Sequence, residues 1–192
     1  MVAARVTIIP QYNENLVYIP VAGVQLTVPG DYERMTFFGR GPEENYWDRA
    51  NGTKVGRYET TVTENFIGYV KTSETGNRTG VRWIALTDES GFGLLAAAGE
   101  KPLEVSALHY TPEDLDRGVH PYELNTLDDT ILRLNAVQIG VGGDNAWSRI
   151  VPHEQYLPHE EVYEYTFTLM PLNGNEDAME KATEAKIVMA AP

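Results

Sequence analysis

Short segments in which apolar and polar residues alternate constrain the fold of this chain more than any other feature of its sequence. In Glu161–Leu169 every second residue is large and apolar or aromatic: Tyr163, Tyr165, Phe167 and Leu169. Successive side chains of a β-strand point to opposite faces, so this pattern predicts a strand with one buried face. A chain built from such segments buries its apolar faces by packing sheets against each other.

Similar patterns recur along the chain and predict an all-β protein. Further strands are expected in Leu16–Val28, Tyr58–Val62, Val81–Thr87, Gly91–Ala98, Leu103–Tyr110 and Thr130–Val141. The turn residues Asp88–Gly91 predict a hairpin between the third and fourth of these. Many short strands separated by turns that contain glycine and proline are typical of a β-sandwich.

Signals for helices are sparse. Thr111–Leu115 predicts a short helix start, with threonine at the cap, proline at the first position and acidic residues in the first turn. In Glu176–Met189 a stripe made mostly of alanine falls on one helical face, so a helix, a frayed tail and a strand at Lys186–Met189 stay open. We therefore interpret residues 1–172 as one domain and residues 173–192 as a tail, either helical or disordered.

Charge and composition exclude several classes of function. The 192 residues include 15 basic and 28 acidic side chains, a formal net charge of −13. Such a chain repels phosphate backbones and anionic membranes, so neither nucleic acid nor a membrane is expected as a partner. Cysteine is absent and the four histidines show no metal-ligand spacing, so no metal site is predicted. The compartment stays undecided.

Three acidic doublets are candidates for catalytic carboxylates. They are Glu43-Glu44, Asp128-Asp129 and Glu160-Glu161. Adjacent residues of a strand point to opposite faces, so one doublet cannot supply both carboxylates of a glycosidase. We expect all three to be solvated surface. His109 and His120 either line a cleft or have structural roles.

A glycine-rich segment, Gly140–Ser148, is the most informative part of the sequence. It places three glycines within four residues before Asp144, Asn145 and Trp147. A tryptophan on such a loop offers a flat face on which a sugar ring stacks, but it can also fold back onto the core. The sequence leaves these two interpretations open.

A second segment, Gly39–Arg49, mixes turn residues, aromatic residues and opposite charges. We expect an ordered loop in which Arg40, Glu44, Asp48 and Arg49 form ion pairs. Holding a partner domain or a ligand is the alternative function for this segment.

These segments resemble the C-terminal domain, or small chain, of β-galactosidases of glycoside hydrolase family 2. Gly39–Arg49 is similar to one family signature, and Gly140–Ser148 is similar to the Gly-x-Gly-Gly-Asp-x-x-Trp-Ser loop. Two more blocks lie between them in the family's order. They are Tyr69–Trp83, which contains Glu74, Gly76, Asn77 and Arg78, and His109–Thr111 with Leu115, His120 and Leu124.

The resemblance implies a supersandwich, a large two-sheet antiparallel β-sandwich like that of galactose mutarotases, and it implies that this chain begins inside the family domain. In such an enzyme a separate (β/α)8 barrel carries the catalytic glutamates and the sites for Mg²⁺ and Na⁺. No catalytic residue and no metal site are therefore expected in this chain. Its expected partners are that barrel and a β-galactoside or its leaving-group sugar.

The resemblance also assigns roles to individual residues. Trp147 would contact the aglycone sugar, on a loop shaped by Gly142, Gly143 and Asp144, and His120 and Glu74 are further candidate substrate contacts. A structural or domain-interface role is implied for Arg40, Glu44, Asn45, Tyr46, Asp48 and Arg49.

Departures from the family pattern leave the substrate open. Thr72–Gly76, Asn135 and Ala146 differ from the usual residues. Two alternative functions also remain: a free-standing carbohydrate-binding module, and a mutarotase-like sugar epimerase that uses His109 or His120.

Overall fold

Alternating side chains fold into two antiparallel sheets in the computed structural model, which describes residues 1–15, 18–118, 120–142, 158–174 and 176–190. The strands of this part are β1 Val2–Ile8, β2 Val21–Pro29, β3 Arg34–Gly41, β4 Lys54–Thr61, β5 Arg78–Val81, β6 Trp83–Thr87, β7 Gly93–Ala98, β8 Leu103–Leu108, β9 Asp129–Gln138 and β10 Tyr163–Leu172. The helices are α1 Pro112–Arg117 and α2 Ala178–Ala190, with 3-10 turns at Trp47–Arg49 and Pro121–Glu123. The predicted all-β, two-sheet class is confirmed.

The two sheets have the strand orders β1-β10-β7-β6-β3-β4 and β2-β9-β8-β5. The predicted hairpin is present as β6 and β7, in which Leu86 pairs with Leu94. No helix in the described residues is long and apolar enough to cross a bilayer.

The sequence prediction missed β1 and β3, and it took one strand as continuous that is not. β3 extends to Gly41, which lies in the segment Gly39–Arg49 that was expected to be a loop. The predicted strand Val81–Thr87 is divided between the two sheets, because the chain crosses from β5 to β6 at Arg82. Gly80 permits this crossing with a φ of +63°, a conformation that other residues rarely adopt.

The main core lies between the inner faces of the sheets. The six-stranded sheet contributes Met35, Phe37, Ile84, Leu86, Ala96 and Phe167. The four-stranded sheet contributes Val28, Leu103, Val105, Ala107, Leu132 and Leu134. These residues are almost fully buried, so the contact between the sheets supplies most of the hydrophobic stabilisation.

A second core forms where α2 covers the outer face of the six-stranded sheet. Ala178, Ala182 and Ala185 of α2 are buried against Trp83, Ala85, Leu95, Ala97, Met170 and Leu172. Small side chains allow the helix backbone to lie close to the sheet. Arg57 and Asp177 pair at 3.2 Å beside the helix start, so polar contacts also fix its position.

The predicted start of α1 is confirmed as a capping box. The Thr111 hydroxyl accepts from the Asp114 amide at 3.1 Å, and the Asp114 carboxylate accepts from the Thr111 amide at 3.0 Å. Leu115 is the buried residue of this short helix. The cap therefore fixes where the chain turns after β8.

Replacing Ala182 with aspartate tests the packing of α2. The carboxylate would be forced against the apolar outer face of the sheet, so we expect a loss of about 2–3 kcal/mol in unfolding free energy. Thr183→Asp introduces the same group at an exposed position and should change stability by less than about 0.5 kcal/mol. Urea unfolding of both variants measures this, and equal losses would contradict the packing.

Candidate functional site

The outer face of the four-stranded sheet carries polar side chains that are nevertheless buried. Leu103 and Val105 of β8 point into the main core, so Glu104 and Ser106 point to the opposite face. Arg133 and Asn135 of β9 lie directly opposite Ser106 and Glu104 in the register. All four are at most 6% exposed, because segments 43–49 and 69–77 cover this face.

Glu44 joins these two covering segments. Its carboxylate accepts from the Gly76 amide at 2.7 Å, from the Thr75 hydroxyl at 3.1 Å and from the Tyr69 hydroxyl, and it pairs with Arg49. The expectation that Glu43-Glu44 is solvated surface is therefore wrong for Glu44, whereas Glu43 is exposed. The physical reason is that four donors from the fold replace the water that a buried carboxylate loses.

Asn45 and Asn77 form the next connection between the same segments. The Asn45 amide donates to the Asn77 carbonyl at 2.9 Å, and the Asn77 side chain donates to the Asn45 carbonyl at 3.0 Å. The Asn45 side-chain oxygen accepts from the Thr79 amide at 2.9 Å. These hydrogen bonds hold Asn45, at the middle of the segment Gly39–Arg49, against the segment that contains Asn77.

Tyr46 fills the space beneath these hydrogen bonds. It is fully buried, and the Arg49 guanidinium lies 5.1 Å from its ring centroid. Burial raises the pKa of the Tyr46 hydroxyl far above its ordinary value, and the carboxylates Glu74 and Glu44 raise it further. Tyr46 therefore stays neutral inside the domain.

Glu74, a predicted substrate contact, forms an ion pair with Arg133. Both of its oxygens accept from Arg133, at 3.0 Å for the Nη1 contact, and Arg133 Nε donates to Ser106 at 2.7 Å. A forked pair of this kind holds both charges in one orientation. Glu74 nevertheless borders a cleft of about 330 Å³, whose lining is Lys71, Thr72, Ser73, Glu74, Pro112, Leu115 and Asp116.

Glu104 is the most deeply buried carboxyl group of this face. Asn77 donates to its Oε2 at 3.1 Å, and its Oε1 has no hydrogen-bond partner among the described residues. Burial raises the pKa of Glu104 to about 8, although hydrogen bonds from Asn77 and the Gln138 backbone lower it. Glu104 is therefore mostly protonated at neutral pH.

Asp48 connects the two segments that were singled out from the sequence. Its Oδ2 accepts from the Gly142 amide. A Cβ at Gly140 or Gly142 would lie 2.7 or 2.8 Å from Asp48 side-chain atoms, so a larger residue at either position would displace this carboxylate. Arg40, also expected in an ion pair, donates to the Thr53 carbonyl at 3.3 Å.

The rest of the predicted sugar-binding loop lies outside the described residues. This applies to Gly143, Asp144 and Trp147, so their predicted roles stay predictions. The structure describes the end of β9 and the chain as far as Gly142, where Asp48 holds it.

The two histidines of the epimerase alternative have separate environments. His109 contacts Glu33 at 2.9 Å and the Asp129 carbonyl at 3.0 Å. His120 contacts the Val70 carbonyl at 3.1 Å and stacks on Tyr122. Neither lines the cleft beside Glu74. Within the described residues no three histidine or acidic side chains are grouped to hold a metal ion.

The sequence interpretation missed Glu104, Arg133, Ser106 and Asn77 as members of one buried network. Glu104, Ser106 and Arg133 alternate with core residues of β8 and β9, and this alternation is visible in the sequence. Nothing in that alternation showed that a distant segment would cover this face.

The two antiparallel sheets define a β-sandwich domain, the class that the sequence predicted. The family described as beta galactosidase small chain matches residues 2–169. The chain therefore belongs to the β-galactosidase small-chain family, and the resemblance inferred from its motifs is confirmed.

Curated relatives support this assignment. The chain is 38% identical to a β-galactosidase of Priestia megaterium over 160 residues, which is 83% of this chain and 15% of that protein. It is 41% identical to β-galactosidase BgaC of Bifidobacterium adolescentis over 152 residues, 78% of this chain and 14% of the relative. A Vibrio cholerae β-galactosidase is 36% identical over 79% of this chain and 14% of its own length. The chain thus spans about one seventh of these relatives.

Replacing Glu44 with glutamine tests its role in joining the two segments. Glutamine keeps the shape but directs an NH₂ group toward donors and leaves Arg49 without its anion, so we expect a loss of about 2–3 kcal/mol. Glu43→Gln is the matched control next in sequence and should change stability by less than about 0.5 kcal/mol. Thermal unfolding compares the two, and equal effects would show that Glu44 has no such role.

Replacing Glu104 with glutamine tests its raised pKa. The folded state retains the Glu104 proton between about pH 4.5 and 8 while the unfolded state loses it, so the wild type loses stability as pH rises through this range. Glutamine resembles the protonated acid, so the variant should lack this loss and gain on the order of 2 kcal/mol relative to wild type at pH 9. Denaturant unfolding at several pH values measures the difference, with Glu43→Gln as the control. Parallel profiles for all three proteins would contradict a raised pKa.

Proposed function

We propose that this chain is the non-catalytic C-terminal part of a retaining β-galactosidase of glycoside hydrolase family 2, an enzyme that hydrolyses terminal β-galactosides such as lactose. The observation that carries the proposal is the family match over residues 2–169, combined with relatives named β-galactosidase in which the matched segment is only about one seventh of the protein. A domain that makes up so small a share of an enzyme needs a larger partner to form the active site.

The carboxylates of the described residues support placing catalysis elsewhere. A retaining glycosidase needs two carboxyl groups about 5–5.5 Å apart that face the same sugar. Glu44 is surrounded by four donors, Glu74 is occupied by Arg133, and Glu104 is enclosed beneath Asn77. Each of these carboxyl groups is occupied by contacts within the domain. The catalytic acid and the nucleophile therefore belong to another part of the enzyme, which also holds the Mg²⁺ and Na⁺ sites.

The proposed contribution of this chain is to orient the leaving-group sugar. Asp48 fixes the backbone at Gly142, and from there the chain continues to Gly143, Asp144 and Trp147. Stacking of Trp147 on the aglycone sugar would then hold the glycosidic bond near the catalytic carboxylates, which lowers the barrier by orientation.

The cleft beside Glu74 favours a second candidate function, a free-standing carbohydrate-binding module. It combines hydroxyl, carboxylate and ammonium groups with the apolar surfaces of Pro112 and Leu115, a mixture that suits a sugar. Titration of the isolated chain with galactose and glucose, followed by calorimetry, separates the two functions. Saturable binding favours the module, whereas the enzyme-part proposal predicts no saturation.

Replacing Trp147 with alanine tests the proposed role in the assembled enzyme. The isolated chain should not hydrolyse an aryl β-galactoside, and activity should appear when the catalytic part is supplied. In that assembly Trp147→Ala should weaken binding of acceptor sugars at least about tenfold, because a stacking platform of 1–3 kcal/mol is lost. Trp147→Phe retains a ring and should restore part of the affinity. Unchanged turnover and acceptor affinity in Trp147→Ala would refute this role.

A further inference from the structure

A group of large side chains remains exposed at one end of the described fold. We define the aromatic patch as Trp47, Tyr69, Val70, His120 and Tyr122. Val70 is 85% exposed, Tyr122 82% and Trp47 40%. Apolar side chains that are exposed singly are ordinary, but a contiguous group of them marks an interaction surface.

Hydrogen bonds and stacking show that the patch is contiguous. Arg49, in the same 3-10 turn as Trp47, donates to the Tyr69 hydroxyl at 3.1 Å. Tyr69 is followed by Val70, whose carbonyl contacts His120 Nδ1 at 3.1 Å. The His120 ring stacks on Tyr122 with centroids 5.3 Å apart. Three separate segments of the chain thus meet in one surface.

The buried network beneath the patch holds it in a fixed shape. Glu44 accepts from Tyr69, a member of the patch, and from Arg49, which lies beside it, so the buried carboxylate anchors this side of the patch. The Glu123 amide donates to the His120 carbonyl at 3.0 Å and closes the turn that carries Tyr122. A surface that is ordered before binding loses less entropy when a partner covers it.

The patch borders the start of the proposed sugar-binding loop. Trp47 precedes Asp48, and Asp48 accepts from the amide of Gly142, the last described residue before that loop. A partner that covers the patch would therefore also approach the loop.

We propose that the aromatic patch is the surface on which the catalytic part of the β-galactosidase docks. This inference rests on the proposed function and deepens it, because it assigns the apolar centre of the interface to this patch rather than to Glu44, Asn45 and Tyr46, which are buried within the domain. Centres of interfaces are rich in tryptophan and tyrosine and poor in unpaired charge. The patch contains one tryptophan and two tyrosines, and the adjacent Arg49 is paired with Glu44.

The relatives and the charge of the chain favour this partner over a second copy. In the relatives about 85% of the polypeptide lies outside the matched segment, so a large partner surface is present in the same protein. Two copies of this chain would each bring a formal charge of −13, and their mutual repulsion opposes self-association. The Arg49 charge is neutralised by Glu44, which suits an apolar partner surface.

Binding of this chain to a catalytic part tests the proposal. The partner is the Priestia megaterium β-galactosidase from which the segment that matches this chain has been removed. Calorimetry measures the affinity for the wild type, for the double variant Val70→Ser, Tyr122→Ser, and for Phe92→Ser as control. Phe92 is 52% exposed and lies in the turn between β6 and β7, outside the patch.

We expect the wild type and Phe92→Ser to bind equally and the double variant to bind at least about tenfold more weakly. Hydrogen exchange of the wild-type complex should show protection at residues 47–49, 69–71 and 120–123, a measurement that does not depend on any variant folding. Absence of a complex between the unaltered proteins, protection confined to other surfaces, or equal affinity of all three proteins would overturn the proposal.

Activity on an aryl β-galactoside separates this inference from the proposed function. Binding through the patch without hydrolysis supports the docking surface and contradicts the proposed function. If the double variant restores hydrolysis to the same level as the wild type does, the result supports the proposed function and overturns the docking surface. Sedimentation of the isolated chain tests whether a second copy occupies the patch. If the wild type is a dimer and the double variant is a monomer, the occupant is a second copy and the proposal is overturned.

Discussion

The carboxylate of Glu44 is the group on which the candidate site depends. A buried charge is tolerated only when hydrogen bonds replace its lost hydration, and Glu44 obtains them from a backbone amide, two hydroxyls and a guanidinium. These donors come from Arg49 on one side and from Tyr69, Thr75 and Gly76 on the other. One side chain therefore joins segments that are about thirty residues apart in sequence.

This anchoring explains why a polar sheet face can be buried at all. Glu104, Ser106, Arg133 and Asn135 would be ordinary solvent-facing residues if nothing covered their sheet. The covering segments remove water from them, and the fold compensates with Asn77 on Glu104 and Glu74 on Arg133. A network of this kind specifies one arrangement of its loops, because any other arrangement leaves buried polar groups unsatisfied. Glu104 avoids the cost of a buried charge in another way, because its raised pKa keeps the carboxyl group neutral.

The sequence predicted local structure well, but it did not predict which distant segments would cover a sheet face. Alternation identified most strands, and the capping residues identified α1, because both signals depend on neighbouring residues. The division between β5 and β6 at Arg82 was missed because apolar residues run through the point where the chain changes sheets. The burial of Glu44 was missed for a related reason: its donors Tyr69 and Gly76 lie far along the chain, and an isolated acidic doublet is typical of a surface. Family motifs identified Gly39–Arg49 as important, but they did not separate buried Glu44 from exposed Trp47.

The segment Gly39–Arg49 has side chains that face inward and side chains that remain exposed. Glu44, Asn45 and Tyr46 face inward and are almost fully buried, so they fix the backbone. Trp47 faces outward from the 3-10 turn that this fixed backbone supports, and Asp48 faces the end of β9 and binds Gly142. Because these residues are consecutive, the positions of exposed Trp47 and of Gly142 depend on the same buried contacts. A partner that covers the aromatic patch, as proposed, would therefore come close to Gly142 at the end of β9.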